Sequence, residues 1–470
     1  MADLDNNTIV CPVCGHENSA GVSLCNGCRG RLDIRRASTG QQAIKRSERQ
    51  RVTRRRRRII TWTGVALVIV GIGLGVGYNR LGTAGFLPPP ASSISATASY
   101  RDWPMYQRDP THTGFVADDG STPIGNGLEA RFAIDAPIFT SPAVVDGRVY
   151  LGTGDRRVLA LDAASGELIW ERDVSSPVHA SPAVAGDLVF TGLNDGSVIA
   201  LDTRDGQIVW KFDTDGPIFS PPTVDGGILY IGSGDQKLYA LDALTGKKRW
   251  SYKTDGWVIS SPAVWNDVVA VTSMDGYLYI IDRSTGKFRL DYRTLSALSG
   301  VVFDDELLLV ADEWGILRAI DWTQKQLPFE KVARTVRLNL YIWGLVDTLP
   351  PPKGFVWEFR SGGHQFFTTP VAGLDKVYVA SISGTVFAVN RSTGEKVWEF
   401  KTGGALSSPP AVANGSVFVG DALGRLHAID ALTGEGQWVF EAQGTISVAP
   451  AFADGVLYIT SNEGVLYASN

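Results

Sequence analysis

One phrase recurs eight times along this chain, and it decides what the chain can fold into. Its fullest form is Ser-Pro-Ala-Val, a glycine turn, an apolar run, a run ending Ala-Leu-Asp, then Thr-Gly or Ser-Gly and a tryptophan. The Ala-Leu-Asp core stands at Ala160-Leu161-Asp162, Ala200-Leu201-Asp202 and Ala240-Leu241-Asp242. Divergent copies are Ile280-Ile281-Asp282, Ala319-Ile320-Asp321, Ala388-Val389-Asn390 and Ala428-Ile429-Asp430, and the last is cut short at Tyr467-Ala468. The spacing is roughly 40 residues, the length of one four-stranded blade. A single copy cannot bury its own apolar faces. The copies must stack, and short strands that stack radially make an all-β, eight-bladed β-propeller, here over residues 100–470.

The pattern predicts how the blades meet. The Asp of each core can bond nearby backbone N–H groups and hold the turn into the fourth strand, and Gly166, Gly206, Gly246, Gly286, Gly394 and Gly434 free the backbone there. Four residues on stands Trp170, Trp210, Trp250, Trp398 or Trp438; Trp357 holds the place after an insertion and Leu290 replaces it in the fourth copy. An aromatic at a fixed place in every repeat is expected to pack between blades rather than to stack a ligand. The truncated last copy lacks a fourth strand. Residues 128–134 are predicted to supply it, with Ala130 at the Trp position and Phe132 matching Phe212, Phe400 and Phe440, since a ring left open would expose an unpaired edge. One gap breaks the period, an insertion at about 322–354. Its segment near 328–348 places Phe329, Val332, Ala333, Val336, Leu340 and Trp343 on one helical stripe, with Lys331, Arg334 and Arg337 off it. Such a stripe caps the propeller's flank, docks a partner or lies on a membrane surface.

The first hundred residues are built differently. All four cysteines lie there, as Cys11-Pro-Val-Cys14 and Cys25-Asn-Gly-Cys28. Two knuckles of two thiolates each complete a closed tetrahedral four-sulfur site, so residues 8–32 are predicted to be a zinc ribbon holding structural zinc through Cys11, Cys14, Cys25 and Cys28. Gly15 and Gly27 supply the turn backbone, and His16 is expected at the surface. Residues 33–58 form a polar, increasingly basic linker ending in five arginines, Arg54 to Arg58. Ile59 to Tyr78 is uncharged and mostly apolar, long enough at about 20 residues to span a bilayer core of about 30 Å. We expect one transmembrane helix over residues 59–79, in the cytoplasmic membrane of a prokaryote. The arginine cluster keeps the N-terminus in the cytoplasm and places the propeller outside. Gly71 and Gly75, with Gly73 and Gly77, fit small-xxx-small spacing through which such helices self-associate into a homo-oligomer. Residues 80–99, with Pro88-Pro89-Pro90, are expected to be a semi-extended Pro/Ser-rich spacer. The first 80 residues carry a net charge of +9, which leaves −14 for residues 81–470 against a total of −5. So acidic a propeller is a poor nucleic-acid binder.

The Ala-Leu-Asp-Ala-x-Thr-Gly-x-x-x-Trp phrase resembles the pyrroloquinoline-quinone (PQQ)-like propeller repeat of quinoprotein alcohol dehydrogenases and of BamB-like outer-membrane assembly lipoproteins. Trp103-Pro104-Met105-Tyr106-Gln107 and His112-Thr113-Gly114 resemble the segment before the first blade in that family. The resemblance implies a propeller over roughly residues 100–470 and says less about function. Quinoprotein dehydrogenases carry an adjacent cysteine pair over the cofactor and an acidic and amide calcium site. This propeller has no cysteine, and no CxxCH haem motif is present. BamB-like lipoproteins, in turn, carry neither a zinc ribbon nor a spanning helix. The histidines His16, His112, His179, His364 and His427 are scattered, and there is no P-loop, nucleophile elbow or HExxH. The expectation is therefore a non-enzymatic, membrane-anchored propeller without PQQ, scaffolding unidentified protein partners. The alternatives are a quinone-dependent dehydrogenase and a small-molecule or saccharide receptor.

Overall fold

The computed structural model describes residues 8–11, 13–19, 22–32, 89–96, 99, 101–117, 125–294, 299–326, 329–348 and 351–469. The chain divides into two compact units, Met1–Phe86 and Leu87–Asn470. The expected basic linker 33–58 and apolar span 59–79 lie outside the described residues. Among the described residues no helix is long and apolar enough to cross a membrane.

In the second unit each copy of the phrase makes one antiparallel four-stranded sheet, and there are eight such sheets among the described residues. Blade two shows the plan, with strands Ala183–Ala185, Leu188–Gly192, Ser197–Asp202 and Ile208–Asp213. Its second strand is buried throughout and its third up to Asp202, because neighbouring blades cover both faces. The fourth, outermost strand alternates and keeps Trp210 inside. The core Asp behaves as its chemistry requires: in blade one Asp162 Oδ1 accepts from the amides of Ala164 (3.1 Å) and Ser165 (2.8 Å).

The tryptophans dock each blade on the next. The indole N–H donates to a carbonyl of the following blade: Trp170 to Thr203, Trp210 to Ala243, Trp250 to Arg283 and Trp357 to Arg391, each at 2.9 Å, and Trp398 to Ala431 at 3.2 Å. The ring lies flush on the turn glycine of that blade. A Cβ added at Gly206, Gly246 or Gly434 would come within 2.6 Å of a Trp ring atom, and at Gly286 or Gly394 within 2.7 Å. These glycines therefore serve close approach as well as their positive φ. Where blade four has Leu290, the next blade supplies Trp322, buried in the same apolar cluster and donating to the Asp305 carbonyl at 2.9 Å.

The ring closes as the repeat demands. Strand Leu128–Ala133 pairs antiparallel with Val465–Ser469, completing the eighth blade. Phe132 faces Leu466 just as Phe212 faces Val198. Ala130, expected at the Trp position, is one rung away from it. Elsewhere the β-bulge follows the Ala–Trp rung, whereas here it falls between Ala130 and Phe132, so Glu129 lies opposite Ala468. Counting residues between motifs cannot see where a strand bulges.

A segment before the first blade closes the bottom of the ring, the end carrying the Asp turns. Trp103 exchanges backbone hydrogen bonds with Val144 at 2.7 and 2.8 Å, and Val184 N donates to Pro104 O at 2.8 Å. Val264 N donates to Pro110 O, Phe303 N to Thr111 O and Val412 N to Gly114 O, at 2.6, 2.9 and 2.9 Å. Residues 101–116 thereby satisfy innermost-edge groups that would otherwise face an open shaft. The described part of the expected spacer is likewise no bare linker. Ala96 N donates to Val224 O (3.1 Å), Gly227 N to Ile94 O (2.7 Å) and Gly226 N to Ser95 Oγ (2.7 Å), and Ala96 is buried. Its small side chains fit against blade three, which Pro/Ser-rich composition alone had concealed.

The insertion contains helix α1, Glu330–Ile342, joining strands Ile316–Asp321 and Phe355–Arg360 of blade five. Its expected apolar stripe does not cap the propeller's flank. Phe329, Ala333, Val336 and Trp343 are exposed, and Leu340 is half-buried.

Candidate functional site

The eight inner strands surround a shaft that opens at the top of the ring and is floored by the plug. A cavity of about 200 Å³ occupies it. Its floor is Tyr106, whose hydroxyl bonds Thr369 Oγ1 at 2.8 Å and is pushed up to about 12 by burial. Above the floor, the serine of the Ser-Pro pair contributes Ser141, Ser181 and Ser261, and Thr369 holds the same place in blade six. At the mouth, two residues before that position (Pro221 in blade three), the repeat places Phe139, His179 and Phe219 side by side, with ring centroids 5.1 and 5.9 Å apart. His179 is held by Asn194, Nδ1 to Oδ1 at 2.9 Å. Around the rest of the mouth the lining carries Ile259, Phe367, Ser407 and Ser447. Sequence reasoning missed this site, although Phe139, His179 and Phe219 fall at the repeat spacing just before the Ser-Pro signal.

His112 lies in the plug beneath the cavity and is fully buried. Nδ1 meets Val301 O at 3.0 Å and Nε2 meets Ser261 Oγ at 3.1 Å. Burial pulls its pKa down to about 4, opposed by the Val301 bond and by Asp109. Of the other histidines, His364 bonds Ser383 and His427 bonds the buried Asp421. They stand apart as the sequence implied, and no catalytic constellation forms among the described residues.

The lining decides whether a quinone cofactor fits. PQQ is a tricarboxylate, and a buried polyanion needs cationic partners or a metal. Among the described residues the cavity is lined by hydroxyls, prolines, aromatics and small apolar groups, with no lysine, arginine, aspartate or glutamate. These residues do not fit PQQ.

Around the mouth the top face is divided. The turns between second and third strands read Gly154-Asp155, Asn194-Asp195 and Gly234-Asp235 in blades one to three, and Asn462-Glu463 in blade eight. In blades four to seven the same turns present Met274, Trp314, Ile382 and Leu423, all exposed, beside exposed Trp257. Trp314 is 67 % and Leu423 66 % accessible, so this arc of large apolar side chains has no cover among the described residues.

In the first unit, Cys11, Cys14, Cys25 and Cys28 come together as expected, with all four sulfurs within 4.8 Å of one another. Cys11 and Cys28 Sγ are 3.6 Å apart, Cys14 and Cys25 Sγ 3.5 Å. A tetrahedral four-thiolate zinc site with bonds of about 2.3 Å has sulfur–sulfur edges of about 3.8 Å. The donor set fits zinc, with no open position for chemistry. Burial pushes the Cys25 thiol up, but amides of Cys28 and Gly27 and the Asn18 side chain outweigh it and bring it to about 6, toward the thiolate a metal binds. The two knuckles are alike: the residue after the second cysteine takes a left-handed backbone, Gly15 at φ 76 and Arg29 at φ 56. Gly27, expected to serve that turn, is needed instead for room, since a Cβ there would meet His16 at 3.0 Å.

Residues 129–326 and 344–470 match the family described as outer membrane protein assembly factor BamB. The chain belongs to that family. No curated protein compared matches it in sequence. Among solved structures, the BamB-like ring is similar to BamB from Moraxella catarrhalis, at 21 % identity and TM-score 0.58, over 73 % of this chain and 97 % of that one. The computationally designed Ika8 protein matches at 18 % identity and TM-score 0.59, over 72 % and 98 %. Quinohemoprotein alcohol dehydrogenase from Comamonas testosteroni matches at 16 % and 0.61, over 79 % and 81 %. At these identities the likeness of this BamB-like chain to each is one of fold.

Proposed function

We propose that this protein is a membrane-anchored, extracytoplasmic scaffold whose propeller holds protein partners on its top face, while its cytoplasmic four-cysteine ribbon carries structural zinc. The observation that carries the reading is the apolar arc of Trp257, Met274, Trp314, Ile382 and Leu423 on an otherwise acidic BamB-like ring. A partner that covers apolar side chains and brings positive charge to the neighbouring Asp155, Asp195 and Asp235 matches this face. The scaffolding reading draws on the family's description as an assembly factor. The anchor draws on the uncharged run Ile59 to Tyr78 behind its arginine cluster. A photocrosslinking amino acid at position 314 or 423 in cells should trap a discrete polypeptide, and one at the outer-strand position 209 should not. Loss of that selectivity, or dye-linked alcohol oxidation on adding quinone and calcium, would overturn the reading.

A further inference from the structure

Within the propeller unit, helix α1 is required by neither the repeat nor the family, because the family match stops at 326 and resumes at 344. It is also poorly supported by its own chain. Phe329 is 81 % exposed, Trp343 69 %, Leu345 67 % and Ile342 66 %. Its N-cap residue, Phe329, makes no side-chain cap bond, and its base is held by the Lys353–Glu330 ion pair (3.1 Å) and the Gln326 amide on Arg289 O (2.9 Å). A 13-residue helix with its apolar stripe in water is marginal, since helices in proteins draw most of their stability from burying that stripe. Something must cover it.

Two observations name the cover. The first is charge. Residues 329–345 carry Lys331, Arg334 and Arg337 against Glu330, a net +2, on a unit that is otherwise strongly acidic. An apolar stripe ending in a Trp, with a Tyr and arginines beside it, is the composition of a helix lying in a lipid interface. The second is position. The insertion replaces the turn that in blade three runs from Asp242 to Gly246, so α1 leaves the bottom face. The N-terminal stretch of the propeller unit runs over that same face, where Ala91 N bonds Asp242 Oδ2 at 2.6 Å and Gly227 N bonds Ile94 O. Ten residues separate Tyr78, the end of the uncharged apolar run, from Pro89. Fully extended they span at most about 35 Å. If the run is the anchor, the bottom face stays within that reach of the bilayer.

We propose that α1 is an interfacial membrane foot: it lies in the outer leaflet with the Phe329–Val336–Trp343 stripe among the acyl chains and Arg334 and Arg337 at anionic headgroups. The foot fixes the ring bottom-down, leaving the shaft mouth and apolar arc facing away from the membrane. The inference rests on the anchored reading above, and the test separates the two.

The full chain is placed in nanodiscs of brominated phosphatidylcholine with a minority of phosphatidylglycerol. Subtracting the emission of Trp343→Phe from that of the parent isolates Trp343, which is exposed and safe to replace. Bromolipid should quench this difference emission by roughly half and blue-shift it, as for an indole a few ångströms below the headgroups. Arg334→Glu with Arg337→Glu should restore it. A red, unquenched Trp343 in a chain that resists carbonate extraction overturns the foot and leaves the anchor standing, and so does quenching that the double arginine variant does not change. If carbonate strips the parent chain, the anchor falls. The same difference measurement on the full chain added to vesicles of that composition then decides the foot alone, with an unquenched Trp343 overturning it.

Discussion

The buried histidine of the plug sets a pH dependence that can be worked out in advance. His112 titrates at about 4 in the folded protein, and an unfolded histidine near 6.5. Its folded pKa is depressed, so the unfolded chain takes up the proton first. Stability from this residue is intact above pH 6.5, falls as pH drops through the window to 4, and changes no further below it. At pH 5 the loss is about 2 kcal/mol, and the limit is about 3 kcal/mol. The carboxylates held below their ordinary range, such as Asp202 at about 2, lose their contribution only at lower pH. His427 is also lowered by burial, so the comparison must be with a variant. His112→Gln keeps polar atoms near Val301 O and Ser261 Oγ but cannot titrate. Unfolding free energies from urea titrations should fall steeply between pH 7 and pH 5 for the parent and by about 2 kcal/mol less for the variant. Protonation acts where the plug meets blades four and five, so the Val264 and Phe303 amides, which bond Pro110 and Thr111, should lose hydrogen-exchange protection first. Parallel pH curves for parent and variant would refute the reasoning.

Cys14→Ser should abolish the single zinc per chain and loosen residues 8–32 while the propeller's melting transition stays in place, because so small a segment has too little core to fold without metal; metal analysis with calorimetry checks both. Deleting residues 128–134 should leave Val465–Ser469 an unpaired edge beside exposed core, and light scattering should report aggregation where the parent stays dispersed.

The propeller, its blade number and its closure were legible because a radial repeat writes every blade with the same few residues. The packing of the tryptophans between blades was legible for the same reason, whereas their seat on the next blade's turn glycine was not, because those glycines were read only as turn residues. The cysteine site was legible because its ligands are local. What stayed hidden depends on contacts between distant segments or on symmetry being broken. Ala96 and Ser95 look like linker until blade three is beside them. The bulge at Arg131 moves a rung without altering a residue count. Trp322 replaces a missing Trp from the next blade along. The aromatic arc at Phe139, His179 and Phe219 is visible only once the inner strands are arranged around one axis. The stripe on α1 was legible, but its exposure was not, since periodicity says which side is apolar and nothing of what lies against it.

Closure by Leu128–Ala133 on Val465–Ser469 sets a clock on biogenesis. The first of these strands is made more than three hundred residues before its partner. At 5–20 residues per second the ribosome needs roughly 15 s to a minute to cover that stretch. Throughout that interval a half-finished arc of blades, paired blade to blade but with both ends raw, waits on the receiving side of whatever compartment it enters. The plug strand, made before any blade, can seat each inner edge as it arrives and so limits which way the arc can stray. The cell must still shield the growing end until the last strand comes, and a chain that stalls late in synthesis would be a sticky crescent rather than a smaller ring.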